Sequence, residues 1–182
     1  MKKILQQIFF DRPTLIIAQE LLGKFLVRKS GKKEIAGMIT ETEAYIGLED
    51  KASHASRGRT KRTEVMFGNP GYWYVYLVYG MYNCLNIVTE RERYPAAILI
   101  RSVCLLPFHY DRQNMAVNGP GRVCKYFQVD KRFNKRPAEL KTGLWIEDRG
   151  VRLNPKKIKK GKRVGVDYAR SWKNKHWRFY LE

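Results

Sequence analysis

Near the start of the chain apolar side chains recur at helical spacing, at Leu15, Ala18, Leu21 and Leu22. Asp11-Arg12-Pro13 stands before them. It reads as a helix start, with Asp11 as N-cap and proline tolerated in the first turn. Gly23 reads as the stop. From there the pattern shortens to strands. Lys24–Arg28 and Ile35–Tyr45 are predicted as two strands joined by the polar turn Ser30-Gly31-Lys32-Lys33. Tyr72–Val78 and Tyr82–Thr89 form a second pair, with Tyr79-Gly80-Met81 short enough for a hairpin tip. Ala97–Val103 is a further strand, Gly119-Pro120-Gly121 reads as a turn, and the rest alternates short strands and loops up to Trp177–Leu181. The predicted fold class is α+β, a single domain over residues 1–182. It has a curved, largely antiparallel β-sheet, a protruding β-hairpin and a few helices.

The segment between Gly47 and Gly68 does not fit that regularity. It is polar and carries Arg57, Arg59, Lys61 and Arg62, so it is expected as a long basic loop, with room for a short helix. Loops of that length in a compact domain are usually functional or disordered. The charge of the whole chain adds to this. Lys and Arg number 36 against 17 Asp and Glu, a net charge of +19. Such an excess repels itself in a compact fold and calls for a polyanionic partner. Nucleic acid fits better than an anionic membrane surface, because no long amphipathic basic helix stands out. Lys156, Lys157, Lys159, Lys160, Lys162 and Arg163 form a basic cluster near the C-terminus, read either as a solvated tail or as a phosphate-contacting segment. Met1-Lys2-Lys3 imitates the start of a signal peptide, but Asp11, Arg12 and Pro13 soon break the apolar stretch. No apolar run approaches the ~20 residues that span a bilayer. Cys84, Cys104 and Cys124 are odd in number and far apart, and with only His54, His109 and His176 they suggest neither disulfides nor a metal site. They are expected as reduced, mostly buried side chains of a cytosolic protein, with no metal and no cofactor.

Two groups of residues suggest chemistry. In a strand, side chains two apart share a face, so Glu41, Glu43 and Tyr45 are expected to point the same way. Two carboxylates and an aromatic ring make a poor core. They fit a solvent-facing row of ion pairs and a site with a glutamate general base beside a stacking ring equally well. In the hairpin, Tyr74 and Tyr76 share one face, opposite Trp73, Val75 and Leu77. Rings on such a face stack on nucleobases, and an aromatic at the tip suits insertion into a minor groove. Arg101 lies in an otherwise apolar strand and needs an anionic or carbonyl partner, for which Glu43 is one candidate.

At these same positions the chain closely resembles the alkyladenine (3-methyladenine, or methylpurine) DNA glycosylases. The resemblance includes Phe9-Phe10-Asp11, Leu21-Leu22-Gly23, Glu41-Thr42-Glu43-Ala44-Tyr45 with Glu49-Asp50 and His54, and Tyr74-Val75-Tyr76 with Tyr79-Gly80-Met81-Tyr82 and Asn86. Arg101, Gly119-Pro120, Arg163-Val164-Gly165-Val166 and Arg178-Phe179-Tyr180 continue it over nearly the whole chain. The resemblance implies that Glu43 is the general base for an attacking water and that Arg101 helps hold that water. It implies that Tyr45, His54 and Tyr76 sandwich a flipped purine and that Asn86 crowds the exocyclic amino group of normal guanine. Tyr79 would enter the minor groove and fill the gap. It also implies the compact bacterial form, working in the cytoplasm on nucleoid DNA.

The expected reaction is hydrolysis of the N-glycosidic bond of alkylated or deaminated purines in double-stranded DNA, as a step of base excision repair. The resemblance makes 3-methyladenine, 7-methylguanine, hypoxanthine and ethenoadenine the candidate lesions. The expected enzyme is monofunctional, with no Schiff base and no strand cleavage, and a monomer. Extrusion of a base costs a few kcal/mol, least at a damaged pair. A cationic alkylated purine gains from stacking on tyrosine rings. Arg57, Arg59, Lys61, Arg62 and Arg122 are candidate phosphate contacts. The competing reading is a non-catalytic nucleic-acid-binding module of the same fold. A directed action on RNA is a third, since phosphate affinity is blind to sequence.

Overall fold

The computed structural model describes residues 2–105 and 116–182. His109 lies outside the described residues. The strands are β1 (Lys3–Ile4), β2 (Phe25–Ser30), β3 (Lys33–Ile46), β4 (Trp73–Val78), β5 (Tyr82–Val88), β6 (Ala96–Leu105), β7 (Ala116–Asn118), β8 (Leu144–Asp148), β9 (Ile158–Gly161) and β10 (Arg178–Leu181). They build one sheet, in the order β1-β8-β2-β3-β6-β5-β4, and every pairing among the described residues is antiparallel. Strand β10 joins β3 on one side and β9 on the other, and β7 lies on β6. Helices α1 (Gln7–Phe10), α2 (Thr14–Glu20) and α3 (Pro120–Tyr126) complete the α+β architecture. Among the described residues no helix is long and apolar enough to cross a membrane.

Both predicted hairpins form. Ser30 pairs with Lys33 across Gly31-Lys32, and Gly31 takes the left-handed φ of 58° that a tight turn of this kind uses. Val78 pairs with Tyr82, leaving Tyr79-Gly80-Met81 as the loop. Trp73 and Val75 alternate into the main core, together with Ile17 and Ala18 of α2, Leu21 at its end, Val123 and Cys124 of α3, and Leu85, Ile98 and Ile100 of the sheet. Cys84 and Cys124 are buried, Cys104 is half-buried, and all three are free thiols.

The helix ends differ from the sequence expectation. Asp11 is not the N-cap of α2. It closes the short α1, and α2 begins at Thr14 with Pro13 at the cap position and no side-chain cap of its own. Glu90, from the loop after β5, does that work. Its Oε1 accepts from the Thr14 backbone N–H at 2.8 Å and from the Thr14 hydroxyl at 2.9 Å. A carboxylate brought in by the tertiary fold also suits the positive end of the helix dipole. Gly119-Pro120-Gly121 is likewise not a free turn but the start of α3. Gly119 has φ 96° at the cap and Pro120 occupies the first turn, where a missing N–H costs nothing.

The irregularity of β3 turns the sheet into a platform for a site. Before it, the odd-numbered residue Ile39 faces the main core; after it, the even-numbered residues Thr42 and Ala44 face the helices, and the Thr42 hydroxyl donates to Ala18 O at 2.8 Å. The register of β3 against β6 shifts between Ile39 and Glu41 and again between Glu41 and Thr42, so that Thr40 and Arg101 lie outside the paired positions. A strand with strict period 2 would have carried Glu43 and Tyr45 into the apolar core. The bulge rotates them onto the opposite face, a common use of bulges beside functional sites.

Candidate active site

Strand β3 supplies Glu43 and Tyr45. The Glu43 side chain is completely buried. Its Oε1 accepts from the Val164 backbone N–H at 2.8 Å and lies 3.5 Å from Arg101 Nε. Its Oε2 accepts from the Tyr45 hydroxyl at 2.8 Å. Burial dominates these contacts and holds the carboxyl above the usual glutamate range, while Arg101, the Val164 N–H and the Tyr45 hydroxyl pull it back down. A carboxylate poised in this way suits general-base work near neutral pH. The Tyr45 hydroxyl is pushed well above its ordinary pKa, first by burial and then by the Glu43 charge, so it remains a donor.

Glu41 shares the face, as its spacing predicts, but plays another part. Its carboxylate accepts from Arg101 Nε at 3.1 Å, from the Ser102 hydroxyl at 2.7 Å and from Arg178 Nη1 at 3.2 Å. The anionic partner expected for Arg101 is therefore double, with Glu41 nearer than Glu43. Of the two carboxylates, Glu41 is consumed by ion pairs and Glu43 keeps lone-pair capacity beside the aromatic cavity.

The long basic loop folds back over β4. Ser53 caps a single 3-10 turn (His54–Arg57) by accepting from the Ala55 N–H at 3.2 Å. This turn sets His54 edge-on to Tyr76, with ring centroids 4.6 Å apart, and its Nδ1 is hydrogen-bonded to the Tyr74 hydroxyl at 2.9 Å. Burial, with help from the Arg62 and Arg57 charges, lowers the imidazole to about 4, so His54 is neutral at physiological pH. Tyr74 is pushed up to about 12, chiefly by burial.

Tyr45, His54, Tyr74, Tyr76 and Asn86 line one cavity with Ala52, Ser53, Met66, Ala97 and Tyr168. Its volume is about 50 Å³, room for roughly four waters. Asn86 is buried and pinned at the wall, because its Nδ2 donates to Tyr74 O at 3.1 Å and to Cys84 O at 3.4 Å. The Arg62 guanidinium lies 4.9 Å from the Tyr76 ring centroid. Tyr168, two-thirds exposed, donates its hydroxyl to Ala52 O at 3.2 Å. Tyr79 is separate from this group. It stands at the hairpin tip, 87% exposed with φ 51°, beside the exposed Met81 and Tyr82.

The fold thus brings Glu43, Arg101, Tyr45, His54, Tyr76 and Asn86 together on one face. Three participants had no assigned role in the sequence reading. Tyr168 had no pattern to mark it. Asp50 was marked only as part of the resemblance. Arg163 was grouped with the basic cluster before the C-terminus, and that grouping is corrected: unlike its lysine neighbours, Arg163 is 4% exposed and paired with Asp50. An arginine held on both sides by a carboxylate and carbonyl oxygens is not free to meet phosphate.

Residues 8–182 match the family model described as methylpurine-DNA glycosylase. Among relatives, the chain is 45% identical to a protein of Methanocella arvoryzae over 97% of this chain and 92% of that protein. It is 43% identical to one of Legionella pneumophila over 100% and 96%, and 45% identical to one of Ehrlichia ruminantium over 100% and 90%. All three carry the provisional name 3-methyladenine DNA glycosylase. A family match that spans almost the whole chain, over a buried carboxylate beside an aromatic cavity, leads to one conclusion: this chain belongs to the methylpurine-DNA glycosylase family of DNA repair enzymes.

Proposed function

We propose that the chain flips alkylated or deaminated purines out of double-stranded DNA and hydrolyses their N-glycosidic bond without cutting the strand. The observation that carries this reading is Glu43, a buried carboxylate with its pKa raised, next to a cavity walled by Tyr45, His54, Tyr76 and Asn86. In this reading Glu43 takes a proton from the water that attacks the anomeric carbon, and Arg101 steadies that water. The purine stacks between Tyr45 and the pair His54–Tyr76, and Asn86 excludes the amino group of guanine. Tyr79 occupies the gap in the duplex. At about 50 Å³ the cavity is smaller than a purine, so in this reading its lining, which includes the exposed Tyr168, moves as the base enters. Neutral His54 offers a hydrogen bond without adding charge. The proposed substrates are 3-methyladenine, 7-methylguanine, hypoxanthine and ethenoadenine. The cationic ones leave as neutral bases and stack more strongly on tyrosine. No lysine lines the cavity among the described residues, which favours activated water over an imine. One chain supplies every group named, so a monomer suffices.

The test is release of free base from duplexes carrying one hypoxanthine, and from methylated DNA, by wild type and Glu43→Gln. The expected result is base release by wild type, an abasic strand left intact, no covalent product on borohydride reduction, and a variant that binds but releases nothing. Tight duplex binding with no release of either lesion class by wild type refutes it and favours the non-catalytic binding module.

A further inference from the structure

The parts of the site come from three segments, the last of them more than a hundred residues from the first two. Strand β3 carries Glu43 and Tyr45, the loop after it carries His54, and the segment before β10 carries Val164 and Tyr168. One ion pair ties all three together. The side chains of Asp50 and Arg163 are completely buried. Arg163 Nη1 donates to Asp50 Oδ2 at 2.5 Å and Nη2 to Oδ1 at 2.8 Å. Asp50 also accepts from the backbone N–H groups of Ile46 at 3.2 Å and Ala52 at 3.1 Å, which fixes the end of β3 and the start of the His54 loop. Arg163 also donates to Ala44 O at 2.8 Å and Trp172 O at 3.3 Å. Its guanidinium lies 4.8 Å from the ring centroid of Tyr45 and 5.1 Å from that of Trp177.

A buried ion pair is a poor way to gain stability, because desolvation of both charges offsets their attraction and an apolar pair packs as well. A bidentate guanidinium–carboxylate pair does fix direction, through two parallel bonds in one plane. The residue that follows Arg163 aims its N–H at Glu43 Oε1.

We infer that the Asp50–Arg163 pair is a positioning device for the general base. It seats the Val164 N–H on Glu43 and braces Tyr45, whose hydroxyl holds the other carboxylate oxygen. The inference rests on the reading of Glu43 as that base. With one oxygen held by Val164 and the other by Tyr45, the carboxylate cannot rotate, and its remaining lone pairs keep one aim toward the attacking water. The other charged or titratable groups around Glu43 are Arg101 on β6, Glu41 and Tyr45 on its own strand, Tyr76 on β4 and Cys84 on β5. Arg178 stands opposite on β10 and is bonded to Glu41. Of these, only Tyr45 touches Arg163, and neither Arg101 nor Glu41 is bonded to Asp50 or Arg163.

The experiment measures single-turnover release of 7-methylguanine against pH. It compares wild type, Arg163→Lys, Asp50→Asn, Glu43→Gln and a chain in which α-hydroxyisovalerate replaces Val164. That last substitution turns one amide N–H into an ester oxygen and leaves every side chain intact. Lysine at 163 keeps the charge but not the planar fork. The expected result for Arg163→Lys and Asp50→Asn is a rate at pH 7 lowered about tenfold to a hundredfold, with duplex binding within a few-fold of wild type. In these two variants and in the ester protein, the acidic limb of the profile moves up by about one pH unit, since a donor to the charged form has been lost. A merely structural pair would lower the folded fraction and the rate together and leave the limb where it was. An unmoved limb in the ester protein overturns the inference, whatever the side-chain variants do. If instead Glu43→Gln still releases base, the identity of the base falls rather than the role of the pair.

Discussion

The hydroxyl of Tyr45 is the cleanest single-atom test of how Glu43 is tuned. It donates to Glu43 Oε2 at 2.8 Å, and Tyr45→Phe removes that donor while keeping the aromatic ring. A hydrogen bond to a charged group contributes about 1.5–3 kcal/mol, and one pKa unit corresponds to about 1.4 kcal/mol. Loss of the whole bond therefore raises the Glu43 pKa by about 1 to 2 units, at the lower end if Arg101, 3.5 Å away, closes in. The sign follows from which form is bonded. The hydroxyl stabilises the carboxylate, so without it Glu43 stays protonated, and inactive as a base, to a higher pH. The assay is single-turnover release of 7-methylguanine between about pH 5 and 9, since this lesion is already cationic and needs no added proton in the acidic range. Glu43→Gln supplies the background of spontaneous depurination. The acidic limb of Tyr45→Phe should move up by about one unit or more, with a plateau within a few-fold of wild type. A limb that stays fixed or moves down refutes the assignment of Tyr45 as a donor to an ionised Glu43. A plateau that collapses with the limb in place assigns the hydroxyl to base recognition instead.

Tyr79→Ser, at an 87% exposed position, should leave the melting temperature unchanged and lower base release about tenfold to a hundredfold, the worth of one stacked ring; unchanged release would remove Tyr79 from the flipping step. His54 is lowered from 6.5 to about 4, so the unfolded chain binds more protons than the folded one within that window, and stability falls as pH drops through it. Thermal melts from pH 7 to 4 should show His54→Gln losing less stability than wild type; equal losses would mean that His54 is solvated. Arg122 is exposed on α3, and Arg122→Ala should reduce the slope of log K against log salt for duplex binding by about one, without altering the rate once bound. An unchanged slope removes Arg122 from the phosphate contacts.

Much of the molecule was legible in the chain because the relevant physics is local. Ser30–Lys33 and Tyr79–Met81 announce their hairpins through turn chemistry between alternating strands, and the structure has both. The excess of lysine and arginine and the tyrosines of β4 point to nucleic acid before the fold is known. The shared face of Glu41, Glu43 and Tyr45 follows from the two-residue period of a strand.

Residue spacing by itself did not distinguish Glu41 from Glu43, and the tertiary structure gives them different surroundings. Arg101, Ser102 and Arg178 occupy Glu41, while Glu43 alone is fully buried and bonded to Tyr45 of the aromatic cavity. The paired irregularity at Thr40 and Arg101 turns those carboxylates away from the core, and no residue type there announces it. Glu90 caps α2 from the loop between β5 and β6, displacing the local candidate Asp11. Arg163 looks like one more base in a cationic run until Asp50, 113 residues earlier, is seen to hold it. The chain alone settled what depends on neighbours in sequence: turns, strand periodicity and net charge. Burial, bulge register and ion-pair partnership depend on which distant segments meet, and only the assembled fold supplies that.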